Sequence, residues 1–267
     1  YLDKSDQARR LFEDHLRLYP DSPQATAAVY WLARLAQGRS DLVAARALYQ
    51  RLVSAYPHYY HALLAGERLA QLPPAVNGPL TPETARLLEL VPPAPAPPAV
   101  EPPAAAVPLL RRARLLGDLG LHQLADRELR FRAEAGPLAY YAGFELAQRA
   151  AGAGAYHQAI RFLKRYTPGY LGFRVDALPR QYWELLFPLP WWREIEAYSQ
   201  LREVDPYLVA ALIRQESEFN PGAISRARAR GLMQIVYPTG RRLGRSLGMT
   251  RLSVNQLYVP DTSLRLG

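Results

Sequence analysis

A carboxyl group at the end of an apolar helical face is the feature of this sequence best suited to proton transfer. Asp205 can accept a hydrogen bond from the first turn of a helix, and Pro206 suits its first position, where an N–H would have no partner. Steps of three and four residues then give Val209, Leu212, Ile213, Glu216 and Phe219, so Glu216 continues the stripe expected to face the core. Burial disfavours the ionised form of a carboxyl, and a carboxyl that keeps its proton near neutral pH can act as a general acid. The same spacing also fits a structural role, in which Glu216 pairs with one of the chain's many arginines. Glu218 is expected to point away from the stripe into solvent.

Residues 211–221 read Ala-Leu-Ile-Arg-Gln-Glu-Ser-Glu-Phe-Asn-Pro and residues 223–235 read Ala-Ile-Ser-Arg-Ala-Arg-Ala-Arg-Gly-Leu-Met-Gln-Ile, followed by Pro238, Thr239 and Gly240. These segments resemble the signature of the soluble lytic murein transglycosylases, whose catalytic domain has a lysozyme-like fold. The match runs from Val204 to Gly240 without a gap, with the Glu-Ser pair and the Gly-Leu-Met-Gln run at the family's spacing. A glycosidase normally needs two carboxyl groups, about 5 to 5.5 Å apart when configuration is retained, although substrate-assisted enzymes are exceptions. Here only Glu216 is well placed. The resemblance implies that the glutamate matching Glu216 protonates the glycosidic oxygen between N-acetylmuramic acid and N-acetylglucosamine. The muramic acid's N-acetyl group then stabilises the positive centre, and the same glutamate, now a base, activates the sugar's 6-hydroxyl. The product is a 1,6-anhydro sugar, made without water.

Carried over position by position, the resemblance makes Ser225 and Gln234 hydrogen-bonding residues of the sugar site and Met233 an apolar wall of its groove. Ser225 equally fits a loop or cap serine, and Met233 fits ordinary core packing. Ser217 is expected to bond to backbone and fix the helix end. The sequence departs from the family where many relatives have Met-Pro after Gly-Leu-Met-Gln-Ile: here Val236 and Tyr237 precede Pro238. Residues 257–267 look like the family's Leu-x-Asp-Pro-x-x-Asn-Ile-x-Leu-Gly segment, with Val259 in place of Asp and Ser263 in place of Asn. In the family an Ala-Tyr-Asn-Ala-Gly motif follows this segment, and the sequence ends before it at Gly267, which is expected of either a piece of a longer domain, the favoured reading, or a degenerate catalytic domain. Two other readings stand beside the transglycosylase: a helical-repeat scaffold that binds peptidoglycan without cleaving it, and a hydrolase of the goose-type lysozyme kind.

The elements that must position these residues are helical. A shift of 37 residues superposes Ala8, Leu11, Phe12, Tyr19 and Pro20 on Ala45, Leu48, Tyr49, Tyr56 and Pro57, close to the roughly 34-residue tetratricopeptide period. Hairpins of this kind stack on one another to bury their faces, and the first begins at Tyr1. Residues 73–108 hold 12 of the 24 prolines, a density that favours an extended linker, with one short helix over 81–90. Helical periodicity resumes over 109–117, 121–134, 137–151 and 155–165, broken by glycine. Residues 179–191 again resemble the segment that leads into the family's catalytic domain, its aromatics packing a junction.

The expected fold class is all-α, a superhelical array of tetratricopeptide-like hairpins followed by a partial lysozyme-like domain. Its parts are hairpin repeats over 1–72, a Pro/Ala-rich linker over 73–108, a helical segment over 109–190 and an incomplete lysozyme-like domain over 191–267.

The formal charge of +9 comes almost wholly from arginine, since only Lys4 and Lys164 are lysines. A basic chain is drawn to polyanions. The carboxylates of peptidoglycan stem peptides and lactyl groups fit that, and the resemblance implies peptidoglycan strands as partner, with other cell-wall enzymes as further partners. Nucleic acid is the competing polyanion, with Arg226, Arg228, Arg230, Arg241, Arg242 and Arg245 as phosphate contacts. The arginines are spread along the whole chain and no recognition motif accompanies them, which argues against it. No apolar run approaches the roughly 20 residues of a membrane span. Zero cysteines exclude disulfides and a thiolate nucleophile, and no cluster has metal-ligand spacing, so neither metal nor cofactor is expected. The family implies a periplasmic or cell-envelope location, with a signal peptide already removed.

Overall fold

The computed structural model describes residues 4–22, 24–74, 78–134 and 136–267. The expected start of the first hairpin at Tyr1 and residues 75–77 of the expected linker lie outside the described residues. Among the described residues there are fourteen α-helices and no strand, so the chain is all-α. Contacts divide it into two compact units, Tyr1–Pro98 with Gly169–Leu178, and Ala99–Pro168 with Pro179–Gly267.

The first unit is built on α1 (Ser5–Leu18), α2 (Ala25–Gly38), α3 (Leu42–Ala55) and α4 (Tyr60–Gln71). The 37-residue repeat is visible in the backbone. Tyr19 and Tyr56 both close their helices with φ of −137°, each donating its N–H to the carbonyl four residues back, His15 and Leu52. The side chains diverge where the packing differs: Leu48 is 1% exposed and its equivalent Leu11 is 61% exposed. Helix α3 packs against α2, α4 and α5 (Pro82–Leu90), whereas the main contacts of α1 are with α2 and α5.

Helix α5 falls where the short helix of the proline-rich stretch was expected, with the Thr81 hydroxyl accepting from Thr84 N. The chain that follows is extended but tied down. Arg51 donates to the carbonyls of Val91 and Pro92, and a side chain at Gly172 would collide with Pro95.

In the second unit, α6 (Val107–Asp118), α7 (His122–Ala133), α8 (Ala139–Gly152) and α9 (Tyr156–Tyr166) follow the predicted periodicity to within two residues at each end. Glycine lets α8 approach α9 closely, because a Cβ at Gly143 would lie 2.6 Å from that of Tyr166. Buried Glu145 on α8 receives two hydrogen bonds from Arg114 on α6.

Five more helices complete this unit: α10 (Arg180–Leu186), α11 (Trp192–Arg202), α12 (Pro206–Ser217), α13 (Tyr237–Ser246) and α14 (Pro260–Leu266). On α10, Tyr182 is fully buried against Tyr140 and Phe144 of α8, and Trp183 is half-buried. One apolar cluster joins Ile160 of α9 to Ile195, Ala210, Ile213, Phe219, Leu232 and Leu264. The last array helix thus shares a core with the elements that carry the Glu216 segment. A second cluster, of Ile235, Leu252, Leu257 and Leu266, packs beside it, and Met233 touches both.

Candidate active site

Helix α12 starts as the sequence indicates. The Asp205 carboxylate accepts from Tyr207 N at 2.8 Å, and Pro206 takes the first turn. Its buried face, however, is Ala210, Ile213 and Ser217. Glu216 is exposed, as is Leu212, which corrects the expectation of a buried carboxyl. The reason is geometric. Residues advance about 100° around a helix, so a face centred between Ala210, Ile213 and Ser217 leaves Glu216 roughly a quarter turn away. Ile213 lies deepest, flanked by the small side chains of Ala210 and Ser217. Of the three carboxylates on α12 and its caps, Asp205 caps the helix and Glu218 is ion-paired. Glu216 has no hydrogen-bond or ion-pair partner among the described residues.

Glu218 also corrects its expectation. It is not solvated but accepts from Arg161 Nε and Lys164 Nζ, both on α9 and both at 2.8 Å. Burial by itself would push its pKa up, yet the hydrogen bonds from Lys164 and Arg161 outweigh that and hold it below the usual value. Glu218 and Phe219 both have positive φ, 52° and 60°, a conformation that side-chain-bearing residues adopt only when surroundings impose it. The ion pairs on one residue and the burial of Phe219 in the core on the next provide that constraint.

The structure ties this helix end to the Gly-Leu-Met-Gln turn. Ser217 Oγ lies 2.9 Å from the carbonyl of Leu232 and 3.1 Å from that of Ile213, sharing its one hydrogen between them. Ser217 therefore fixes the helix end as its residue type suggested. Gly231 passes so close to the carbonyl of Leu257 that a Cβ would sit 1.9 Å from its oxygen, and its φ is +74°. Gln234, also at positive φ, spends its amide N–H groups on the carbonyls of Gly231 and Ala223, at 3.0 and 3.4 Å.

Ser225 is exposed and closes the loop locally, its hydroxyl accepting from Ala229 N at 3.1 Å. Met233 is half-buried between the two clusters. Ser217 and Gln234 are thus held in one hydrogen-bonded frame over residues 217–235. Ser225 belongs to the same loop, whereas Met233 faces the core and an apolar cleft beside Leu208, Leu212 and Leu264.

Two contributors escape a reading of the sequence. Ser263, fully buried on α14, accepts from Met233 N at 3.1 Å, and the cations on α9 hold Glu218. Only the three-residue spacing of Arg161 and Lys164 signals the second, as two basic residues on one helical face. Among the described residues no group of histidines and carboxylates could hold a metal ion. Chemically, the segment offers one unengaged carboxylate at a helix end whose next residue, Ser217, is tied to the Gly-Leu-Met-Gln turn.

Comparison with known proteins finds similarity over the same part of the chain. Residues 193–267 match the family model described as the transglycosylase SLT domain. A transglycosylase of Enterobacteria phage PRD1 is 43% identical over 56 residues, 21% of this chain and 21% of the phage protein. The membrane-bound lytic murein transglycosylase C of Klebsiella pneumoniae is 42% identical over 66 residues, 24% of this chain and 18% of that protein. Among solved structures, an inactive mutant of the lytic transglycosylase Slt from Pseudomonas aeruginosa covers 99% of this chain. It does so at 24% identity with a TM-score of 0.64, and the chain spans 38% of its length. At that identity the likeness speaks for the fold: a helical array followed by a lysozyme-like domain.

Proposed function

From a chain that carries the transglycosylase SLT domain over residues 193–267, we propose a peptidoglycan lytic transglycosylase that cleaves the β-1,4 bond between N-acetylmuramic acid and N-acetylglucosamine. Glu216 is its general acid and base. In the first step the Glu216 carboxyl gives its proton to the glycosidic oxygen as the bond to the muramic C1 breaks. The carbonyl oxygen of the muramic N-acetyl group closes on C1. The Glu216 carboxylate then takes the proton of the 6-hydroxyl, whose oxygen displaces the N-acetyl oxygen from C1. A 1,6-anhydro end results and no water is consumed.

The observation that carries this reading is that Glu216 is the carboxylate of the motif left without a partner, while its neighbours Ser217 and Glu218 are both anchored. Anchoring of the two residues that follow it restricts where the acid can reach, and fixed geometry is worth a large part of a barrier. Ser225 and Gln234 orient the sugar and Met233 forms an apolar wall. The glycan strand is the partner, and the enzyme acts in the cell envelope; no helix among the described residues is long and apolar enough to cross a membrane.

The test is to digest purified peptidoglycan with the intact protein and with its Glu216→Gln form, then weigh the released muropeptides. Anhydro products, lighter than hydrolytic ones by one water, are expected from the first and not the second. Reducing ends would instead make it a lysozyme-type hydrolase, and no product from the intact protein would make it a glycan-binding scaffold.

A further inference from the structure

We propose that Arg228 and Arg230 form a recognition site for a carboxylate carried on the muramic acid side arm of the glycan, an inference that rests on the functional reading above. Arg228 and Arg230 line a groove of about 330 Å³ together with Ala227, Val236, Tyr237, Pro238 and Val254. No aspartate or glutamate lines it. The Arg228 side chain has no carboxylate partner among the described residues, nor does that of Arg230. A third cation, Arg241, lies over the Tyr237 ring at 5.9 Å. An acid-free concavity lined by two arginines attracts anions, and the planar guanidinium fork matches a carboxylate in particular.

The groove is also built before any ligand arrives. Arg230 exchanges two backbone hydrogen bonds with Ile235, at 3.1 and 3.0 Å. Its Nη1 donates to the Arg228 carbonyl at 2.6 Å, and its Nε is buried without a partner. Arg228 N in turn donates to the carbonyl of Ser225 at 2.9 Å, which places the pair on the turn that carries a proposed sugar-binding serine. Arg228 itself sits at φ +60°, where glycine would adopt the same backbone without a steric penalty. The chain thus carries a cation at a position where the backbone favours the smallest residue. Val236, Tyr237 and Pro238 give the groove an apolar floor, suited to an amino-acid side arm rather than to a bare inorganic anion.

Arg228→Gly is the decisive variant because it removes the cation while relieving the backbone, so a loss of binding is not a loss of folding. Both the intact protein carrying Glu216→Gln, which leaves ligand uncleaved, and the same protein carrying Arg228→Gly in addition would be titrated by calorimetry. The three ligands are a peptide-bearing muramic tetrasaccharide, the same tetrasaccharide with its peptides removed to leave lactyl carboxylates, and chitotetraose, which has no carboxylate. The expected result is an affinity for the peptide-bearing ligand weakened roughly tenfold, with chitotetraose unchanged and the unfolding midpoint of the variant equal or higher. Loss confined to the peptide-bearing ligand assigns the carboxylate to the peptide, and equal loss on both muramic ligands assigns it to the lactyl group. Unchanged affinity for both, or an equal loss on chitotetraose, would overturn the site. If none of the three binds the Glu216→Gln protein, the functional reading falls and this site with it.

Discussion

Lys164 Nζ donates to the Glu218 carboxylate at 2.8 Å, and that single contact joins the last helix of the array to the residue two places after the proposed acid. With Arg161 on the other carboxylate oxygen, α9 braces the end of α12. Helix α9 is therefore part of what holds the chain directly after Glu216.

Glu218→Gln should lower kcat for anhydro-muropeptide release with little change in KM, because it loosens the support without touching substrate. Stability should fall by about 1 kcal/mol, since both cations are partly exposed and solvent screens them. The pH dependence follows from the lowered pKa. Glu218 stabilises the fold fully above a glutamate's ordinary 4.5, and the contribution is lost as pH falls through its lower folded value. Urea titrations of both forms should therefore differ most at neutral pH and converge in acid. Equal differences at every pH would exclude the ion pairs as the cause.

Ser217→Ala removes the tether to Leu232 and leaves a buried carbonyl with one partner fewer. A cost of about 1 to 2 kcal/mol is expected in chemical denaturation, with a fall in kcat larger than any rise in KM. Ser217→Thr keeps the hydroxyl and should restore part of the rate. If Ser217→Ala is as active as the parent, the helix end is held adequately without this bond.

Gly231→Ala and Gly248→Ala form a matched pair. Both glycines have strongly positive φ, +74° and +77°, but a Cβ at Gly231 meets the Leu257 carbonyl at 1.9 Å and one at Gly248 meets nothing within 4 Å. Gly248→Ala should cost only the left-handed backbone penalty, about 1 to 2 kcal/mol. Gly231→Ala should exceed it by about 2 kcal/mol or more, since backbone of the loop and of residues 255–258 must separate. Similar melting temperatures for the two variants would contradict the close approach.

Much of this molecule was legible in its residues. The order of helices over 107–166 follows from apolar spacing punctuated by Gly120, Gly136 and Gly154, each of which adopts positive φ. The cap at Asp205, the short helix after Thr81 and the 37-residue repeat were readable for the same reason: each depends on neighbours in sequence, so residue type and spacing carry the information. The motif from Val204 to Gly240 likewise named the segment that the SLT family model matches.

What neighbours in sequence do not encode is which face a long-range partner covers. Counting apolar residues placed Glu216 inward and Glu218 outward. The packed chain set Ala210, Ile213 and Ser217 inward, because α9, Leu232 and α14 supply the opposing surface. That left Glu216 in solvent and brought Glu218 under two cations more than fifty residues away. Local propensity and motif spacing thus determined the elements and the residue types at the site. The orientation of the acid, the anchoring of its neighbours and the pairing of Arg228 with Arg230 on one groove were decided only in the tertiary structure, where burial and charge pairing are settled by whatever surface arrives from elsewhere in the chain.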